Sequence, residues 1–380
     1  MTRIGMIVPS SNTTLEPATR RLLAERSDVD VLCTRIPVRA ITRDGTGASF
    51  DVETMVSAAE LLADAEVDCV VWNGTAGSWL GADHDRRIAS AITDRTGLPA
   101  TTSTLAILQA CHDFGVTELA CASPYTADVA EAIVAEYAGH GITITGRSEW
   151  CLSDNRAFAA PGAAEVAELL RSAAKPGAHA VGLICTNVDG AAVAADVERE
   201  LGVPVIDSIA ATLWWALETA GAPSRINGAG ALLDQADLRH RASRIVAELR
   251  VRTGCDRTTL RVDDPLRGLH VDLCAAESRA DGVRSIQHDP SLDQRGLETV
   301  RWLDEHRRVL VQPAFTEPPF PPQALREVYG VSAQVLGPVE RGGEVVAWLS
   351  AHSIGERAWT ESDVDAMNAA RDAVAALLDR

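Results

Sequence analysis

The sequence predicts two folded parts in series, an α/β part built on parallel sheet and then an α+β part. Three observations predict this. Short apolar runs alternate with amphipathic helical stretches through about residue 220. The alternation lapses at Gly221–Gly230, a stretch of Gly, Ala, Pro and Ser with linker composition. Beyond it come a long helix, a hairpin and a last helix, and 380 residues are too many for one ordinary core.

The elements follow in order. Ile4–Val8 reads as a strand ending at Pro9, Glu16–Arg26 as a helix, Val29–Cys33 as a strand and Glu53–Ala65 as a helix. Cys69–Trp72 is a strand that breaks at Asn73-Gly74. Helices follow at Asp83–Thr96, stopped by Gly97, and at Leu105–Phe114, closed by Gly115. Leu119–Ala122 is a strand, after which Ser123 reads as a helix N-cap with Pro124 in the first helical position. From Cys151 the pattern repeats: helix Ala164–Ala173, strand Ala180–Ile184, helix Ala191–Leu201, strand Val203–Ile206, helix Ile209–Ala220. The second part runs helix Ala236–Thr253, strand Thr258–Val262, helix Gly296–His306, strand Val309–Gln312 and helix Gln323–Tyr329. The hairpin Ala333–Val339/Val345–His352 and the helix Glu361–Leu378 complete it. The expected domains are residues 1–225 and 237–380, with a linker at 226–236.

A formal charge of −18 argues against nucleic acid, because phosphate binding needs a basic face. The eight cysteines form no CxxC pair, so no metal site is expected, and free thiols are expected in a reducing cytoplasm. No apolar run is long enough for a membrane, and the N-terminus enters a strand directly, so no leader is expected.

Ligands in parallel α/β folds bind beyond the carboxyl ends of strands. Four strand ends stand out. Pro9-Ser10-Ser11-Asn12 offers hydroxyls and an amide that suit a carboxylate, or else a helix cap. Gly74-Thr75-Ala76-Gly77 lets backbone approach a ligand closely, or is an ordinary βα loop. In Ser123-Pro124-Tyr125-Thr126 the tyrosine hydroxyl either meets an anion at a helix start or is merely packed. In Cys185-Thr186-Asn187 the thiol is either inert filling or, at the N-terminus of the next helix, exposed and lowered in pKa.

Taken jointly, these segments resemble the arylmalonate decarboxylase and maleate isomerase branch of the aspartate/glutamate racemase superfamily. Ile7–Thr14 and Cys185-Thr186-Asn187 are similar to maleate isomerase segments. Gly74-Thr75, Gly97-Leu98-Pro99, Thr101–Thr104, Tyr125, Cys185 and Gly202–Val205 are similar to arylmalonate decarboxylase. The resemblance spans residues 1 to about 220. It implies two pseudo-symmetric parallel-sheet lobes with a cofactor-free site between them. Racemases and isomerases of the superfamily carry two facing cysteines; this chain has Gly74 at the first position and Cys185 at the second.

The resemblance therefore implies decarboxylation of a substituted malonate. Ser10, Asn12, Thr75, Ala76 and Tyr125 would hold the enediolate, and Cys185 would protonate it. Pro9, Thr126, Thr186 and Asn187 complete the expected binding set, with a small dicarboxylate as substrate. The alternatives are a maleate-type cis–trans isomerase with Cys185 as nucleophile, and a non-catalytic dicarboxylate sensor. Trp79, Trp214 and Trp215 are candidates to line an aryl pocket, or are core. Residues 237–380 resemble a GAF domain through Val309–Pro313, Tyr329–Val339 and Val346–His352, which implies a small ligand or a homo-oligomer.

Overall fold

The computed structural model describes residues 1–38, 41–43, 50–289 and 293–379. It divides into two compact units, Met1–His112 with Val116–Asp237, and Asp113–Gly115 with Leu238–Arg380.

The first unit contains two sheets. Its first lobe runs β1 (Thr2–Pro9), α1 (Leu15–Leu22), β2 (Val29–Ile36), α2 (Val52–Ala63), β3 (Cys69–Trp72), α3 (Gly77–Leu80), α4 (Ala82–Thr96), β4 (Ala100–Thr102) and α5 (Ser103–Asp113). The second runs β5 (Glu118–Ser123), α6 (Ala127–Gly139), β6 (Thr143–Glu149), α7 (Ala163–Ala173), β7 (Ala180–Leu183), α8 (Ala194–Leu201), β8 (Val205–Asp207) and α9 (Ser208–Thr219). The strand orders are β2-β1-β3-β4 and β6-β5-β7-β8, so the lobes repeat one topology. All pairings in both sheets are parallel. The central strands are continuous apolar runs because helices cover both faces. Ile4, Ile7, Val70, Val71, Leu119, Val181 and Leu183 are completely buried, each contributing ~1.5–3 kcal/mol of transfer free energy.

Three strands escape the apolar-run criterion. β4 has only three residues. β6 is an edge strand of sequence TITGRSE, half exposed along its length. In the second unit β10 (Cys274–Arg279) is an edge strand whose later half is polar.

Two helix starts differ from expectation. Ser123 is the last residue of β5, and α6 begins at Ala127 with Thr126 as its N-cap. Backbone bonding explains the delay: Trp150 N–H donates to Ser123 O (3.3 Å) and Leu152 N–H to Pro124 O (2.9 Å). These bonds extend strand pairing past the point where the helix was expected. Likewise α8 begins at Ala194, nine residues after Cys185, so the thiol is not at the N-terminus of that helix.

Helix α10 (Ala231–Thr253) begins in the first unit and passes at Leu238 into the second, which continues with β9 (Arg257–Val262), β10, α11 (Glu298–His306), β11 (Leu310–Gln312), α12 (Gln323–Glu327), β12 (Ala333–Arg341), β13 (Glu344–Ser353) and α13 (Glu361–Leu378). Helix α10 starts within the expected linker, its Ala231 N–H donating to Glu198 Oε2 (2.8 Å). The sheet order is β10-β9-β13-β12-β11, antiparallel throughout. The β12–β13 hairpin turns on Gly342 and Gly343, both at positive φ (62° and 86°), the geometry a tight two-residue turn demands. One sheet face packs Leu260, Val262, Leu349, Ala351 and Val335 with Val246, Met367 and Val374 of α10 and α13. Among the described residues, no helix is long and apolar enough to cross a membrane.

Candidate active site

The ends of β1, β3, β5 and β7 converge where the two lobes of the first unit meet. At the end of β3, Asn73 and Gly74 lead into the short helix α3. A Cβ on Gly74 would lie 2.2 Å from Trp72 Cζ2 and 2.4 Å from Cε2, so the indole occupies the space of any side chain there. Thr75 follows, 4% exposed. Its hydroxyl is 2.8 Å from the Tyr125 hydroxyl, and either can donate. The backbone N–H groups of Thr75 and Ala76 have no hydrogen-bond partner among the described residues.

Tyr125 and Cys185 are each 2% exposed, and each side chain bears on the other's ionisation. The Cys185 sulfur also accepts Asn187 N–H (3.4 Å), and its own N–H donates to Ser208 Oγ (3.0 Å). Thr75, Tyr125 and Cys185 thus form a polar line across the lobes. Burial pushes the Cys185 thiol up to about 12, and the Asp207 carboxylate adds to the rise. Asn187 and Tyr125 oppose it without prevailing. The expectation of a lowered pKa is therefore corrected: although Cys185 N–H meets Ser208 at the start of α9, desolvation of the thiolate dominates. Burial likewise raises Tyr125 well above its ordinary value.

Asn12, Thr186 and Asn187 are engaged by protein groups on both lobes. Asn12 Oδ1 accepts Thr14 N–H and Leu15 N–H (both 3.0 Å), capping α1. Its Nδ2 donates to Thr186 O (3.0 Å) and Thr186 Oγ1 (3.2 Å). Thr186 Oγ1 in turn donates to Asn73 O (2.9 Å). Asn187 Oδ1 accepts Thr13 N–H (3.0 Å) and Thr14 N–H (3.3 Å), while its Nδ2 donates to Asn155 O (2.5 Å). Each asparagine reaches into the other lobe. Their hydrogen-bonding groups are engaged by protein, so they clasp the lobes together.

Ser10 is exposed, and its hydroxyl pairs with Val38, donating to the carbonyl (3.3 Å) and accepting the N–H (3.1 Å). Ser11 Oγ donates to Val38 O and accepts from Asn155 Nδ2 (2.8 Å). Arg35 Nη1 pins the turn by donating to Ser10 O (3.1 Å) and Asn12 O (2.9 Å). Pro9 O accepts Asn12 N–H (2.9 Å). Thr126 is half-buried and its hydroxyl bonds to Asp128 in the first turn of α6.

Around Tyr125 lie two aromatic rings, Trp79 (centroids 5.1 Å apart) and Phe158 (5.5 Å), both edge-on. Trp79 thus joins the site as expected of a lining residue. Trp214 pairs with Trp215 (5.0 Å) on α9. Phe158, Asn155 and Arg35 were missed by sequence reasoning; the first two sit in an irregular segment without periodicity. Asp207 caps α9 through Ala210 N–H (2.8 Å) and is pushed by burial up to about 7. Among the described residues no cluster of His, Cys, Asp and Glu has the makings of a metal site.

Comparison with known proteins agrees with this geometry. Residues 4–233 match the arylmalonate decarboxylase family and residues 237–378 the GAF domain. The chain is 30% identical to an arylmalonate decarboxylase of Bordetella bronchiseptica over 61% of this chain and 96% of that protein. It is 28% identical to a maleate isomerase of Pseudomonas putida over 62% of this chain and 98% of the relative. A liganded variant of arylmalonate decarboxylase superposes with a TM-score of 0.55 at 27% identity, covering 61% of this chain and 98% of that one.

Proposed function

Because this chain belongs to the arylmalonate decarboxylase family and carries a GAF domain behind it, we propose that its first unit decarboxylates a substituted malonate without a cofactor. The observation that carries the reading is the state of Cys185: a thiol raised to about 12 is protonated at neutral pH. It is equipped to give a proton and poorly equipped to attack an alkene.

The step balances as follows. The bond between the α-carbon and one carboxylate breaks and carbon dioxide leaves. The electron pair stays on the substrate as an enediolate. The Thr75 hydroxyl and the open N–H groups of Thr75 and Ala76 are the donors offered to its oxygens, and each such donor contributes on the order of 3 kcal/mol to a transition state. Cys185 delivers its proton to the α-carbon, and the thiolate, disfavoured in this buried setting, regains one from solvent. The aromatic faces of Trp79 and Phe158 beside Tyr125 suit an aryl substituent.

A maleate-type isomerase is the second reading, favoured by the Pseudomonas putida relative. It requires Cys185 as a thiolate nucleophile, which its burial opposes. Proton NMR in heavy water with phenylmalonate and with maleate separates the two. The proposed function expects loss of carbon dioxide from phenylmalonate and one deuterium at the α-carbon. Conversion of maleate to fumarate with phenylmalonate inert would replace it with isomerisation. Binding without turnover of either would make the first unit a sensor.

A further inference from the structure

Trp72 closes β3, immediately before the turn Asn73-Gly74-Thr75-Ala76. Its indole is completely buried and lies over Gly74: a Cβ there would stand 2.8 Å from Nε1 as well as against the benzo edge. The nitrogen edge of the ring is thus set on the same turn that carries the open N–H groups of Thr75 and Ala76. Nε1 is itself buried with no hydrogen-bond partner among the described residues. Burying an N–H unpaired is costly, and native structures seldom do so without a reason.

Strand alternation explains why the protein leaves it unmet. Trp72 and Val70 share one face of β3, while Asn73 turns to the other. There Asn73 Nδ2 donates to Val71 O (3.1 Å) and Ile7 O (3.4 Å). On the Trp72 side stand the Phe50 ring, 6.2 Å away between centroids, and Gly74, neither of which offers a side-chain acceptor. Gly74 and Trp72 therefore act as a pair, because a side chain at 74 would displace the ring.

We infer that Trp72 is a substrate-binding donor: its indole N–H donates to an oxygen of the carboxylate retained in the reaction, beside the Thr75 and Ala76 N–H groups. This rests on the proposed decarboxylation for the identity of the anion. Three neutral donors then meet a group whose oxygens gain charge as carbon dioxide leaves, so the hydrogen bonds strengthen in the transition state. The indole suits the place for a second reason. It is a donor only, far too weak an acid to transfer its proton. It steadies the enediolate without protonating it, and delivery to the α-carbon is left to Cys185.

The test uses the full chain. Indole N–H resonances are recorded with and without benzylphosphonate, which presents anionic oxygens beside an aryl ring and has no carboxylate to lose. Trp72→Phe, which removes the N–H and keeps a ring, identifies the Trp72 signal. That proton should move downfield on binding and exchange more slowly with solvent, as a charge-assisted hydrogen bond requires; a ring that only fills space would leave it unmoved. With phenylmalonate, Trp72→Phe should lower kcat/KM by about 10–100-fold, the loss of one hydrogen bond to a charged group. The loss should fall chiefly on kcat, because the contact strengthens in the transition state. Should Trp72→Phe fail to fold, Phe50→Leu identifies the signal by withdrawing the neighbouring ring current, and the shift alone decides. Turnover of phenylmalonate with an unmoved Trp72 proton, or with a parental rate in folded Trp72→Phe, would overturn the inference and leave the decarboxylase reading standing. A shifted proton with phenylmalonate inert would overturn that reading and keep Trp72 as an anion contact. An unmoved proton with phenylmalonate inert would sink both.

Discussion

Replacing Gly74 with cysteine supplies the second thiol that racemases and isomerases of the superfamily possess, and the structure sets its cost. The new Cβ would stand 2.2 Å from Trp72 Cζ2, 2.4 Å from Cε2 and 2.8 Å from Nε1. Ordinary contact begins near 3.4 Å, so the indole must retreat by more than an ångström. Trp72 is completely buried, with Phe50 6.2 Å away between centroids. Overpacking of this kind costs ~1–3 kcal/mol, and the rigid ring places the change at the upper end. At about 2–4 °C per kcal/mol for a unit of this size, Gly74→Cys should lower the first unit's Tm by about 6–12 °C. Trp72→Phe in the same chain should recover part of that loss, a coupling that a double-mutant cycle on thermal melts measures directly. A folded Gly74→Cys protein should also interconvert the enantiomers of a 2-arylpropionate, because acids on both faces of one enediolate deliver protons to either face. A Tm within 1 °C of the parent, with no coupling to Trp72, would refute the packing argument.

Three further outcomes follow from the site. Cys185→Ala should lower turnover by about 10²–10⁴-fold, the usual worth of a general acid, with an unchanged circular dichroism spectrum; a wild-type rate would remove Cys185 from the chemistry. Asn187→Ala strips Thr13 N–H of its acceptor and Thr14 N–H of the longer of its two and should cost about 1–3 kcal/mol in a denaturant titration, whereas a neutral result would mean the clasp is dispensable. Asp85, completely buried and hydrogen-bonded by Thr102 (2.5 Å), is raised by burial from 3.8 to about 7. Its folded-state value lies above the unfolded one, so the folded state holds the proton more tightly and the first unit should lose stability as pH rises from about 4 to about 7. Asp85→Asn should flatten that slope in melts taken across this window, and an unaltered slope would show that Asp85 does not titrate there.

The legible parts of the fold were those where physics leaves a periodic trace. Buried central strands such as Cys69–Trp72 and Ala180–Leu183 have nowhere to place polar residues, and they were read directly. Edge strands β6 and β10 face solvent along one side and lose the apolar signature. Thr75, Tyr125 and Cys185 were legible because each follows a strand. Their electrostatics were not, because the sequence does not reveal how completely the fold buries Cys185 or that α8 starts only at Ala194. Asn12 reads in sequence as a carboxylate binder or a helix cap, and it caps α1; its bond across the lobes, and that of Asn187, leave no sequence trace. An amide side chain looks the same whether it will meet a ligand or a backbone 174 residues away.

The reciprocal reach of those two asparagines restricts how the molecule can breathe. Thr75, Tyr125 and Cys185 lie at no more than 4% exposure, so a substrate reaches them only after something swings aside. The bonds from Asn12 to Thr186 and from Asn187 to Thr13 and Thr14 hold one margin of the junction shut. Opening that preserves them must pivot about that margin, which makes the clasp a hinge and sends the swing to the far margin. The entrance is then a matter of leverage: a small rotation at Asn12 and Asn187 becomes a larger displacement at the margin opposite them.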